Sequence, residues 1–162
     1  MNTYRRILLK LSGEILASKN QNIDPKMLVK TVAIVQSALD MGVEVAIVIG
    51  GGNIFRGINL ADAGMNRVTG DHIGMLATVM NALAISDAFV RHNIPCQVMS
   101  GFPIGGGVCD PVDHNKAKNA LTQGKVVIFS AGTGNPCFTS DTGAALRAAE
   151  IEADVIFKAT KV

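Results

Sequence analysis

The chain has 162 residues, 48% of them hydrophobic and 17% charged, which is enough apolar surface for a buried core and too much for a disordered tail. Lys plus Arg number 15 against 13 Asp plus Glu, for a net charge of +2, with one Tyr, no Trp and no basic run. Nucleic acid is therefore excluded as a favoured partner. The cysteines, Cys96, Cys109 and Cys137, are odd in number and lack CxxC spacing, which argues against a disulfide framework or a zinc site. Lys10 and Glu14 interrupt the apolar stretch after Arg5-Arg6, and no small-residue cleavage site follows. The apolar run from Ile73 to Ile85 is short for a membrane span and contains Thr78 and Asn81. The expectation is a reduced, soluble, cytoplasmic protein with no membrane partner.

In chain order, Arg6 to Leu11 reads as a buried strand. Asp24-Pro25 opens a helix in which Leu28, Val32, Val35 and Leu39 share one face, and Gly42 closes it. Val43 to Ile49 is a β-branched second strand. A longer helix is expected from Asp71 to about His92, with Met75, Val79, Leu83 and Val90 buried. Cys96 to Met99 is strand three. A short helix follows, capped by Asp113 and ended before Gly124. Lys125 to Ser130 is strand four. Ser140 or Asp141 caps a helix through Ala149, and Asp154 to Lys158 is strand five. This alternation predicts an α/β fold, a mostly parallel sheet with helices on both faces, as a single domain over 1–162. No crossover helix follows strand five, so the chain reads as truncated there.

Glycine, at 17 residues, is above its usual share of ~7%. The glycines fall where strands end, the edge at which open α/β sheets bind ligands. Lys10-Leu11-Ser12-Gly13-Glu14 follows strand one, and Gly50-Gly51-Gly52-Asn53-Ile54-Phe55-Arg56-Gly57 follows strand two. Gly101 to Gly107 follows strand three, Ala131-Gly132-Thr133-Gly134-Asn135-Pro136 follows strand four, and Ala159-Thr160-Lys161 follows strand five. Glycine lets backbone N–H groups approach an anion, and Lys10 and Arg56 supply charge. Neither GxxxxGK[ST] nor GxGxxG is present, so the pattern indicates phosphate handling on neither a P-loop nor a dinucleotide-binding scaffold.

KLSGE, IGGGNIFRG, AGMNRVTGDHIGMLATVMNALA, SAGTGNPCFTSD and EIEADVIFKATKV resemble bacterial uridylate (UMP) kinase of the amino-acid kinase superfamily. The likeness runs from about Tyr4 to Val162. It implies the amino-acid kinase fold, incomplete at the C-terminus, and ATP-dependent phosphorylation of UMP to UDP with Mg²⁺ in pyrimidine nucleotide synthesis. It also implies a homo-oligomer, a hexamer in the family. By matching position, Lys10, Leu11, Ser12 and Gly13 would form the ATP phosphate loop, joined by Gly52, Arg56 and Thr160, with Lys10 and Arg56 catalytic. UMP would be held by Gly51, Asp71 and the run Thr133, Gly134, Asn135, Pro136, Cys137, Phe138, Thr139 and Ser140. No protein-held metal site is implied.

Three departures accompany the likeness. The usual family chain continues past Val162, and that part would bring further adenine-binding residues and a carboxylate organising the phosphate-binding lysines. Ala17 to Asn22 lacks the glycines of the family loop linked to GTP activation, although GTP stays a candidate effector. Cys137 stands where an aromatic residue is common. A non-catalytic module of the same fold that binds UMP or another anion is the alternative reading, and the GTGNP segment disfavours an acyl or carbamoyl kinase. His72, His92 and His114 carry no role, Met65, Met75, Met80 and Met99 read as core filler, and Glu150, Glu152 and Asp154 read as a solvated turn.

Overall fold

The computed structural model describes residues 3–56, 60 and 62–160; Gly57, Lys161 and Val162, which the sequence places in rim motifs, lie outside the described residues. The strands are β1 (Arg6–Leu11), β2 (Glu44–Ile49), β3 (Cys96–Ser100), β4 (Asp110–Pro111), β5 (Val126–Ser130) and β6 (Val155–Ala159). The helices are α1 (Pro25–Asp40), α2 (Arg67–Arg91), α3 (His114–Thr122) and α4 (Ser140–Glu150), and a 3₁₀ turn spans Gly13–Leu16. The strands form one sheet in the order β4-β3-β5-β2-β1-β6, and every pairing is parallel. All strand C-termini therefore share one rim.

Strand residues alternate between two cores, as the two-residue period of a pleated strand requires. Ile7, Leu11, Val45, Ile47 and Ile128 pack with Leu28, Val32 and Val35 of α1 and with Ile85 and Phe89 of α2. On the opposite face Leu8, Ala46, Val48 and Phe129 pack with Ala117 and Leu121 of α3 and with Ala144 and Ala148 of α4. Burial on both faces is why β1, β2 and β5 read as near-continuous apolar runs.

Several expectations need correction. α2 begins at Arg67, because Asn66 caps it by accepting from the Thr69 N–H; Asp71 lies one turn inside. α4 is capped by Thr139, whose hydroxyl accepts from the Thr142 N–H, so Ser140 and Asp141 are first-turn residues. Leu83 and Val90 are exposed, as are Leu76 and Met80. Met99 is core, while Met65 and Met75 line a cavity. α2 is long and apolar enough to cross a membrane by composition, yet half of its apolar window is buried inside the fold, as expected of a core helix. The acidic turn is engaged residue by residue. Glu150 pairs with Arg147, Glu152 with Lys118, and Asp154 accepts from the Arg5 and Arg6 N–H groups.

Candidate active site

A cavity of about 540 Å³ opens at the rim between the loop after β2, the first turns of α2, and the loop from β5 into α4. Gly51, Asp71, Thr133, Asn135, Phe138, Thr139 and Ser140 all line it, so most of the residues expected around UMP meet in one hollow, and Gly52, expected on the ATP side, lines it too. Gly51 packs so closely on α2 that a Cβ there would lie 2.9 Å from both the Ala77 Cβ and the Gly74 carbonyl oxygen. Gly134, at φ +80°, turns its backbone onto Gly101, whose carbonyl oxygen a Cβ would overlap. Cys137 contributes through its backbone, the N–H donating to Asp71 Oδ2 at 2.6 Å. Pro136 belongs to the same loop without lining the cavity.

The other residues expected around ATP form a ledge beside this hollow. Lys10, only 8% exposed, places Nζ 3.1 Å from Asp141 Oδ1, and Lys158 donates to Asp141 Oδ2 at 2.7 Å. These contacts hold the Asp141 carboxyl below its usual range, the Lys158 hydrogen bond most strongly and Lys10 after it, against a burial effect that raises it. Among the described residues, the carboxylate shared by these two lysines is Asp141 of α4. Gly13 abuts Gly50 and Gly52. Leu11 pairs with Ala159, so Thr160, next in the chain, follows directly beyond the end of β6. Arg56 donates to the Gly52 carbonyl and pairs with Glu14 at 2.5 Å. The loop after β3 departs from expectation: Gly107 and Val108 border a separate cavity of about 240 Å³.

The sequence reading missed several supports. Arg67 lines the cavity and donates to both Asp71 oxygens at 3.1 Å. Asn81, fully buried, donates to the Gly50 carbonyl and to Asn53 Oδ1, both at 2.7 Å. Thr78 accepts from the Ala131 N–H at 2.7 Å. A polar residue inside an apolar helical run was the available signal, since buried amides and hydroxyls need partners.

Residues 5–162 match the model of the amino acid kinase family. The chain belongs to the amino acid kinase family. Within that family, the uridylate kinase of Ruthia magnifica is 67% identical over 162 residues, all of this chain and 68% of that protein. The uridylate kinase of Stutzerimonas stutzeri is 60% identical, with 98% of this chain and 64% of that protein covered. The amino acid kinase architecture is also that of the UMP kinase from Bacillus anthracis, which superposes with a TM-score of 0.93 at 38% identity over 99% of this chain and 66% of that one. The chain spans about two thirds of the length of these relatives.

Proposed function

We propose that this amino acid kinase chain phosphorylates UMP to UDP with ATP, holding UMP in the 540 Å³ cavity and the ATP phosphates on the adjoining ledge. The observation that carries the reading is the convergence of the Gly51-Gly52 loop, Asp71 and the Thr133–Ser140 segment on one hollow. Uridylate kinases that match the chain throughout support it. Asp71, ordered by Arg67 and the Cys137 N–H, presents its carboxylate to the ribose hydroxyls. Thr133 to Ser140 encloses the base and phosphate.

The acceptor's own phosphate oxygen attacks the γ-phosphorus of ATP, so no side-chain nucleophile is required. The protein supplies position and charge. Lys10, fixed by Asp141, faces the transferring group, and Arg56 leaves Glu14 for the phosphates. Mg²⁺ enters as the MgATP substrate. No group of three or more His, Cys, Asp or Glu stands ready to hold it among the described residues, and Mg²⁺ is ordinarily held by phosphate oxygens and water.

A homo-oligomer is part of the proposal, supported by the exposed stripe Leu76, Met80, Leu83 and Val90 on α2. Cytoplasmic residence is supported by three free cysteines. GTP as an effector rests on the family likeness alone. A second reading, binding without transfer, is favoured by one observation: the 540 Å³ cavity is lined by most of the acceptor-side residues but, of the ATP-side ones, by Gly52 alone. Calorimetric titration with UMP and CMP, beside a UDP-formation assay with MgATP, decides. UMP-selective binding with turnover supports the kinase, and binding without turnover supports the module. Equal affinity for UMP and CMP ends the uridylate reading and leaves an anion-binding module, and affinity for neither ends both.

A further inference from the structure

One buried charge near the acceptor cavity lies outside its lining. Arg147 of α4 is 4% exposed, and its guanidinium forks between two partners. Nη1 donates to the Glu150 oxygens at 3.0 and 2.9 Å, and Nη2 donates to the Gly132 carbonyl at 3.0 Å. The group sits 5.9 Å from the Phe129 ring centroid, and its Nε, buried, has no partner. Burying a cation with a donor unsatisfied is a poor route to stability, so what the fork reaches matters.

It reaches a costly stretch of backbone. Ala131 is left-handed, at φ 59°, a conformation that a residue with a side chain keeps only where surroundings over-determine it, and Gly132 and Gly134 continue the turn at φ 51° and 80°. Thr78 of α2 accepts from the Ala131 N–H at 2.7 Å. Arg147 takes the next carbonyl from the opposite side of the sheet. Helices on both faces thus grip consecutive residues, and Thr133 and Asn135, which line the cavity, come directly after.

We propose that Arg147 is a positioning residue for nucleotide binding: it fixes the Gly132 carbonyl and so sets where Thr133 and Asn135 meet the acceptor monophosphate. This rests on the UMP-site reading above. Lysine cannot replace it, because a single ammonium cannot span Glu150 and Gly132 in a planar fork.

The test compares Arg147→Lys with the unaltered chain by UMP calorimetry and by amide hydrogen exchange. The Kd for UMP rises about tenfold, and exchange accelerates at Ala131 and Gly134, whose N–H groups bond to Thr78 and to the Ala131 carbonyl. Amides of β1 and β2 keep their rates. Unchanged affinity, or acceleration spread evenly over the sheet, overturns the proposal, because a purely structural role would act everywhere. If the unaltered chain does not bind UMP, the UMP-site reading fails separately, and loop-selective exchange then decides alone whether Arg147 holds Gly132. If Arg147→Lys does not fold, Glu150→Ala frees the other end of the guanidinium, and the same two readings move in smaller degree or the proposal falls.

Discussion

Lys10 shows how a single side chain is fixed at the rim. Its stem is buried in the sheet and its ammonium is held by Asp141, which also holds Lys158, so two cations share one carboxylate at the rim. Charge held in place before the reaction is most effective where negative charge redistributes, in the transition state. Lys10→Ala is therefore expected to lower kcat about a hundredfold while KM for UMP changes little; steady-state kinetics of UDP formation check this, and the reverse pattern would mean that Lys10 only binds. The rim position of Lys10 was legible because it stands at the end of an apolar strand. Asp141 was not: in sequence it is one of several polar residues that could cap a helix, and its role appears only when α4 folds back against β1. Arg147 was equally hidden, since an arginine in the last turn of a helix normally stays solvated.

At the level of elements, α2 shows where sequence reading stopped short. Its first turn, Arg67-Val68-Thr69-Gly70, has weak helix propensity, so the pattern suggested a start at Asp71. The cap at Asn66 and the packing of the later turns extend the helix backward. That extension matters because Arg67 and Gly70 line the cavity. Asn66→Ala is expected to cost about 1 kcal/mol of stability and also to weaken UMP binding, because the frayed turn carries Arg67 away from Asp71. Thermal unfolding and UMP titration measure the two effects; lost stability with full affinity would separate the first turn from the site. β1, β2 and β5 were legible nearly to the residue because burial on both faces leaves unbroken apolar runs. β4, two residues long and exposed, left no such signature, and neither did the 3₁₀ turn after β1.

For the whole molecule, layering and parallel sense could be read from the alternation of strands and helices, but the strand order could not, because nothing local tells β3 to leave a gap beside β2 that β5 later fills. Acid sensitivity belongs at this scale. Asp24 is held below its ordinary value by Ser18 and the Lys26 N–H, Asp113 by the Lys116 N–H, Asp141 by Lys158, and Asp154 by the Arg6 N–H. The unfolded chain takes up protons at these groups first, so their contribution is complete above the ordinary carboxylate value near 3.8 and fades as pH falls through the lower folded values. Urea midpoints should hold from pH 7 to 5 and drop below about pH 4; a flat profile to pH 3 would show that these contacts carry no stability. The placement of β1, one strand in from the edge of the sheet, has a consequence for synthesis. It leaves the ribosome ahead of the other described strands, yet one of its neighbours is β6, and Arg6 meets Asp154 only 148 residues later. At about 5–20 residues per second, that flank of β1 waits roughly 7 to 30 s for its partner. For most of that interval Lys10 has no Asp141 beside it, so this corner of the rim takes shape only after α4 has been made.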